Sequence, residues 1–249
     1  MHDGNILVCG GENNLTKCLQ MSHGTWKKHS SLNEKRFWHS TVTTQTATFV
    51  FGGRGRYSTF TYEYLPKDST TWLMGKTKIP SGFQLGSAIV VKSGEEVWLI
   101  GGYTTEMRIL RFNVNDHTFQ LLPLLLNVER RSFTCAFIPN TNKVMVSGGF
   151  NSKDYQLDST EIIDVEDGSV TMASPLNSKR NAHGMGVITF EGKERLVVFG
   201  GSGRSGTQDS VEVYDHQTER WETIDIKLRE PKSRFGFLNL KLSDVLPNL

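Results

Sequence analysis

The stretch Leu196-Val197-Val198-Phe199-Gly200-Gly201 decides the fold, because the chain repeats its pattern five times. In each copy, a short and mainly apolar run is followed at once by two glycines. The glycine pairs are Gly10-Gly11, Gly52-Gly53, Gly101-Gly102, Gly148-Gly149 and Gly200-Gly201, and successive pairs lie 42 to 52 residues apart. A recurrence with a period of this size is the signature of a repeat architecture, in which each copy is one supersecondary unit.

The block from His183 to Glu222 shows what one repeat contains. An apolar stretch, His183–Thr189, precedes the glycine-pair strand, and an alternating strand, Ser210–Tyr214, follows it. The turn Asp215–Thr218 and then Trp221 complete the block, so each period predicts four short strands separated by turns. This order resembles the kelch repeat over nearly the whole chain. The WD40 repeat is the competing short-period propeller motif, but the Trp-Asp dipeptide that it requires does not occur in the sequence.

The resemblance implies an all-β fold, a β-propeller of four-stranded antiparallel kelch-type blades forming one domain over residues 1–249. Because only residues 1–4 precede the first glycine-pair strand, the first blade lacks a first strand of its own. The alternating segment Phe235–Leu242 occupies the slot that opens every other block. We therefore predict that this C-terminal strand completes the first blade, which gives five blades. A six-bladed ring from which one blade has been lost is the alternative.

Composition and charge limit the classes of partner. The net charge is only +2 and no basic run of five residues occurs, which argues against general attraction to nucleic acid. No apolar run is long enough to span a membrane, and the N-terminus shows no secretory signal pattern. The three cysteines, Cys9, Cys18 and Cys135, have no metal-binding spacing and predict buried thiols in a reducing compartment. We accordingly expect a cytoplasmic chain that is monomeric on its own.

Strand order places the candidate binding residues. In a four-stranded blade, the loops after the glycine pairs and the links into the next blade emerge on one face. This face collects arginines and aromatic residues, whereas the opposite face is richer in acids. Arginine provides a planar fork for carboxylates and stacks on aromatic rings. The candidate ligand-binding residues are Arg36, Trp38, Arg54, Arg56, Tyr57, Tyr103, Arg130, Arg131, Phe150, Arg180, Arg204 and Arg234.

Two roles are open for these arginines. Arg36, Arg130, Arg180 and Arg234 all fall shortly before a first strand, so the repeat itself could require them for packing. By contrast, Arg54, Arg56 and Arg204 follow glycine pairs in loops of unequal length, which the repeat does not dictate. The three loop arginines are therefore the better candidates for recognition, since binding residues concentrate on loops held by a rigid scaffold.

The sequence does not favour catalysis. The five predicted innermost strands contain no Asp or Glu, whereas a propeller glycosidase needs two carboxylates. His39 and His183 occupy equivalent slots of two repeats, which shared structure explains better than a paired metal site. We therefore expect no enzyme activity, cofactor or metal. The resemblance implies a protein-interaction scaffold that binds a short acidic or phosphorylated protein segment, as substrate-recognition modules of ubiquitin-ligase adaptors do. A glycan-binding or glycan-modifying propeller, possibly extracellular, is the alternative.

Overall fold

The computed structural model describes residues 6–234 except residues 14, 23, 57–59, 92–93, 104–106 and 191. The regular elements of the described chain are β-strands arranged in five main sheets. The first sheet contains β1 (Ile6–Cys9), β2 (Cys18–Ser22) and β3 (Thr25–His29). The second contains β4 (Ser40–Thr43), β5 (Ala47–Phe51), β6 (Tyr62–Pro66) and β7 (Leu73–Met74), and the third β8 (Ser87–Val91), β9 (Glu96–Ile100), β10 (Arg108–Asn113) and β11 (Phe119–Leu125).

The last two sheets carry an extra hairpin each. The fourth sheet contains β12 (Thr134–Phe137), β13 (Lys143–Ser147), β16 (Thr160–Asp164) and β17 (Val170–Ala173), and the fifth β18 (Gly184–Phe190), β19 (Lys193–Phe199), β22 (Ser210–Asp215) and β23 (Arg220–Lys227). Between the second and third strands of these sheets lie the hairpins β14 (Phe150–Asn151) with β15 (Tyr155–Gln156), and β20 (Ser202–Gly203) with β21 (Gly206–Thr207). In every main sheet the strands stand side by side in chain order.

The glycine pairs follow the strands that the sequence predicted, since each comes directly after Cys9, Phe51, Ile100, Ser147 or Phe199. Both glycines of every pair have positive φ, a conformation that other residues adopt only with strain. Space is also restricted at several of these glycines. A Cβ added at Gly52 would lie 1.8 Å from the carbonyl oxygen of Phe83, which belongs to the link before the third sheet. The pairs therefore mark places where the strand turns against the next segment of backbone.

By its internal contacts the described chain divides into two compact units, residues 6–105 with 110–122, and residues 106–109 with 123–234. In the first unit, Phe49 and Phe51 of the second sheet share one buried core with Leu99 and Phe112 of the third. In the second unit, the buried core between the fourth and fifth sheets includes Met145, Met185, Leu196, Val198 and Trp221. Within each unit, these neighbouring sheets thus cover apolar faces of each other, as the faces of propeller blades require.

The all-β fold with five blades of antiparallel strands is confirmed. The predicted strand Phe235–Leu242 lies outside the described residues, and the described part of the first sheet consists of β1 to β3. Across the described chain, no helix has the length and apolarity that a membrane crossing requires.

The prediction of buried thiols is wrong for two of the three cysteines. Cys9 and Cys18 are opposite each other in the β1–β2 register and form a disulfide bond. This bond closes the loop that follows the first glycine-pair strand. The third cysteine, Cys135, lies on β12 of the fourth sheet.

Candidate functional site

Each unit has a candidate site at one end of its sheets. We call this end the loop edge of the unit: it contains the loops after the glycine pairs, together with the links that enter each first strand. Short backbone bridges join loop and link there. Phe37 pairs with Arg54 through N–H···O bonds of 3.1 and 2.6 Å. Arg131 pairs with Phe150 through bonds of 3.0 and 2.8 Å. Asn181 and Ser202 make the same bridge in the fifth sheet, so the loop edge has a repeated backbone frame.

Three of the predicted site arginines are inside the protein. The side chains of Arg36, Arg130 and Arg180 are fully buried. Each guanidinium donates through Nη1 to the carbonyl of the first glycine of a pair, over 2.6 to 2.8 Å. Each also forms an ion pair, to Glu63 at 2.9 Å, Glu161 at 2.7 Å or Glu212 at 2.6 Å. Because these groups are buried and bonded within their own sheet, we remove them from the ligand-binding set and assign them the structural role.

An asparagine completes each of these buried clusters. In the fourth sheet, Glu161 accepts hydrogen bonds from the backbone N–H of Asn127 at 2.5 Å and from its side-chain amide at 3.0 Å. The same amide donates to the carbonyl of Val170. Asn33 repeats the arrangement with Glu63 and the carbonyl of Trp72. Asn177 donates its backbone N–H to Glu212 and its side-chain amide to the carbonyl of Trp221. We call each set an Asn-Arg-Glu cluster. It fastens the link to the third strand of its own sheet.

The third sheet replaces the whole cluster. The link hydrogen bonds from Ile79 to Phe60 and from Leu126 to Met107 are equivalent, which aligns Pro80 with Asn127 and Phe83 with Arg130. After the third strands, the N–H of Val114 bonds the carbonyl of Glu95 as the N–H of Val165 bonds that of Asn142. Leu110 and Glu161 each lie four residues before these valines and are therefore equivalent. Phe83 and Leu110 lie in one buried apolar core. Pro80 has no backbone N–H, so it needs no acceptor at the position where Leu110 replaces the glutamate.

Arg234 does not occupy the slot that the sequence assigned to it. Gly201 N–H bonds the carbonyl of Lys232 as Gly149 N–H bonds that of Arg180, so Lys232 is the equivalent of the buried arginines. Arg234 instead shares its position with Ala182 and Ser132. All three have positive φ, and Arg234 N–H donates to Ala182 O at 3.0 Å. The Arg234 side chain is exposed at the loop edge.

In the first unit, the remaining candidates centre on Trp38 and Arg54. The Arg54 guanidinium lies over the Trp38 ring, 5.7 Å from its centroid, and Phe37 contacts Trp38 edge-on at 4.8 Å. Arg54 and Arg56 are exposed, whereas Trp38 is half-buried. Tyr103 is 52% exposed and its N–H bonds the carbonyl of Gln84 in the neighbouring link. Tyr57 lies outside the described residues.

In the second unit, Arg131 lies over the ring of Phe150, 4.9 Å from its centroid. The structure adds a residue that the sequence analysis missed, because Tyr155 contacts Phe150 edge-on at 5.9 Å and is 64% exposed. Arg204 is exposed at the turn of the β20–β21 hairpin. The loop edge of each unit therefore presents arginine beside aromatic rings.

The ionisable groups away from these pairs have structural explanations. Burial is the main cause that lowers the pKa of His183 to about 3 and that of His39 to about 4, and nearby arginines add to both shifts. His183 Nε2 lies 3.0 Å from the hydroxyl of Ser147 on β13. At the opposite end of the fifth sheet, the backbone N–H groups of Thr218 and Gln217 lower the pKa of Asp215 to about 2. The described residues contain no group of three or more His, Cys, Asp or Glu side chains suited to a metal ion.

Comparison with known proteins supports the resemblance to the kelch repeat. The Kelch motif model matches residues 191–225, which cover the second to fourth strands of the fifth sheet. The fifth sheet therefore contains a kelch repeat. It is 32% identical over 101 residues to the F-box/kelch-repeat protein SKIP20 of Arabidopsis thaliana, covering 40% of this chain and 24% of the relative. A kelch repeat-containing protein of Dictyostelium discoideum is 24% identical over 155 residues, 60% of this chain and 23% of the relative.

These matches span about a quarter of the length of either relative. Among solved structures, that of YjhT is similar with a TM-score of 0.77 and 10% identity, over 94% of this chain and 84% of that chain. At this identity the similarity concerns the fold of the kelch-repeat chain alone.

Proposed function

We propose that this kelch-repeat chain is a non-catalytic protein-interaction module, and that its loop edge binds a short acidic or phosphorylated protein segment. The observation that carries the proposal is the pair of arginine–aromatic stacks, Arg54 on Trp38 and Arg131 on Phe150, each held by a backbone bridge. A stacked guanidinium keeps the donors at its rim directed outward, where they can bond a carboxylate or phosphate.

The proposed binding set is smaller than the sequence predicted. It consists of Trp38, Arg54, Arg56, Tyr103, Arg131, Phe150, Arg204 and Arg234, with Tyr57 kept as a sequence prediction. Exposed arginines on loops produce local positive potential on a chain whose net charge is only +2. Such a potential speeds association with an acidic segment, and salt weakens it. The Arabidopsis relative is an F-box/kelch-repeat protein, which supports a substrate-recognition role in a ubiquitin-ligase adaptor.

The test is a pull-down with the wild-type chain and with a variant carrying Arg54→Ala, Arg56→Ala and Arg204→Ala. We expect acidic partners to be lost from the variant and its melting temperature to stay nearly unchanged, because exposed loop arginines hold little of the core. The matched control changes three exposed cations at the opposite end of the sheets, Lys67, Lys193 and Arg220, to alanine. If both triple variants retain every partner, or lose the same ones, the acidic-ligand proposal fails.

A glycan-binding propeller in an oxidising compartment is the second candidate. The Cys9–Cys18 disulfide favours it over a cytoplasmic location, because disulfides persist mainly in secreted proteins and oxidising compartments. Exposed aromatic rings at the loop edge would supply stacking surfaces for sugars. Binding to a glycan array, together with no enrichment of acidic peptides, would favour this candidate over the first.

A further inference from the structure

The β14–β15 hairpin of the fourth sheet carries a row of side chains that the repeat does not require. The row consists of Arg131, Phe150 and Tyr155, and we call it the Arg-Phe-Tyr row. Arg131 lies over the face of Phe150, and Tyr155 meets that ring at an interplanar angle of 86°. In the fifth sheet, the equivalent positions beside and within the β20–β21 hairpin are Asn181, Ser202 and Gly206, and the hairpin has no aromatic residue. A hairpin in this loop can therefore form without aromatic side chains.

The hairpin holds Tyr155 in an unusual but fixed position. The Asn151 side chain is buried, and its Oδ1 accepts hydrogen bonds from the N–H groups of Lys153 at 3.1 Å and Asp154 at 2.6 Å. This turn brings Tyr155 back beside Phe150 with φ of +60°. The strand register aligns Tyr155 with Gly206 of the β20–β21 hairpin, which also has positive φ, so the hairpin itself sets this backbone. A left-handed backbone is more costly for a tyrosine than for a glycine, so tyrosine is not the residue that the hairpin alone would favour. At 64% exposure Tyr155 contributes little to the core.

The chemistry of the row identifies what it would recognise. The rim of the Arg131 guanidinium can donate to a carboxylate, while Phe150 covers one face of the same group. The exposed Tyr155 ring offers a flat apolar surface with little conformational entropy to lose, the property that makes tyrosine common at binding hot spots. One ligand would satisfy both groups if it placed an aromatic or proline side chain next to an acidic residue.

We propose that the Arg-Phe-Tyr row is a specificity subsite that selects acidic segments carrying an aromatic residue or proline beside the acidic group. This inference rests on the proposed function and extends it, because it states which acidic segments bind. Tyr155 is its determining residue. Arg131 supplies attraction common to acidic ligands, whereas Tyr155 discriminates among them.

The test is selection of random 12-residue peptides displayed on phage against the intact chain and three variants. Tyr155→Asn removes the ring and retains a residue that tolerates positive φ. Tyr155→Phe retains the ring. Met172→Asn removes another exposed apolar side chain from β17 of the same sheet and serves as the control. We expect wild type, Tyr155→Phe and Met172→Asn to enrich acidic peptides with an adjacent aromatic residue or proline, and Tyr155→Asn to enrich acidic peptides without that preference.

A selected peptide and its aromatic-to-alanine counterpart are then measured by fluorescence polarisation. We expect Tyr155→Asn to weaken the selected peptide roughly tenfold, the scale of an aromatic anchor at an interface, and to leave the counterpart unchanged. If the substitution weakens both peptides equally or neither, the subsite inference is overturned. If the wild type enriches acidic peptides with no adjacent preference, the inference fails and the proposed function stands. If it enriches no acidic peptide, the proposed function fails and the inference with it.

Discussion

The Asn-Arg-Glu cluster of the fourth sheet can be exchanged for the apolar set that the third sheet uses. The first variant is Arg130→Phe alone. It leaves the fully buried Glu161 carboxylate without its cation and the carbonyl of Gly148 without its arginine donor, whereas the carbonyl of Ser159 keeps the N–H of Gly148. Removing one partner of a buried ion pair costs about 3–5 kcal/mol, since the remaining charge is desolvated without compensation. We expect a loss of this size in the free energy of unfolding.

The second variant combines Asn127→Pro, Arg130→Phe and Glu161→Leu, which copies Pro80, Phe83 and Leu110. No charge is then left unpaired, and proline removes the N–H that Glu161 accepts. The N–H of Val128 still loses its 3.1 Å bond to Glu161, and the carbonyl of Gly148 loses its arginine. Unmade hydrogen bonds of this kind cost about 1–3 kcal/mol, partly offset by the added apolar burial. We therefore expect the triple variant to be less destabilised than the single one.

The assay is urea unfolding, followed by tryptophan fluorescence and circular dichroism. Coincident transitions and an unchanged m-value would justify comparing the midpoints as stabilities. The single variant Glu161→Leu is the second reference, because it leaves Arg130 unpaired instead. If the triple variant loses as much stability as Arg130→Phe and Glu161→Leu added together, the three residues do not act as one cluster and the equivalence with the third sheet is refuted.

Three further predictions concern stability and chain pairing. Because the pKa values of His183 and His39 are lowered in the folded chain, the unfolded chain binds protons more readily. The contribution of these two histidines to the free energy of unfolding is therefore present above pH 6.5 and is lost as the pH falls below it. His183 alone would lose about 2 kcal/mol by pH 5, and His183→Gln should flatten a thermal-melt series between pH 7 and pH 5. Mass spectrometry after alkylation without reductant should show Cys9 and Cys18 unlabelled; two labelled residues there would refute the disulfide. Deleting residues 235–249 should expose the β1 edge and cause aggregation, whereas a truncated chain that melts like its parent would refute pairing of the C-terminal strand with β1.

Much of the fold could be predicted because it depends on local features that recur. A short apolar run before two glycines implies a strand that ends in a tight turn, and five copies spaced 42 to 52 residues apart imply similar sheets. Register was harder to predict. Cys9 faces Cys18 only because the intervening loop sets the β1–β2 pairing, and a separation of nine residues does not reveal this.

The candidate site was predictable only in part. Distance along the chain from a first strand grouped Arg234 with Arg180, whereas backbone hydrogen bonds align Arg180 with Lys232. The buried clusters did leave a signal in the sequence, the pattern Leu-Asn followed three residues later by Arg, at Leu32, Leu126 and Leu176. Tyr155 left no such signal, because its exposure follows from a hairpin that occurs in only some of the repeats.

The buried arginines also define the unit in which such a chain can be rearranged. Arg180 is bonded in two directions: its side chain reaches Glu212 in the fifth sheet, and its carbonyl accepts the N–H of Gly149 at the end of the fourth. A segment cut between two sheets would separate these contacts. A blade should therefore be transplanted or duplicated together with the link that precedes it, so that the buried arginine of the link keeps its glutamate. The new site must also provide a glycine pair on the preceding sheet, whose N–H can bond the carbonyl of that arginine. The unit that can be moved or duplicated is therefore a sheet together with the link that precedes it, rather than the sheet alone.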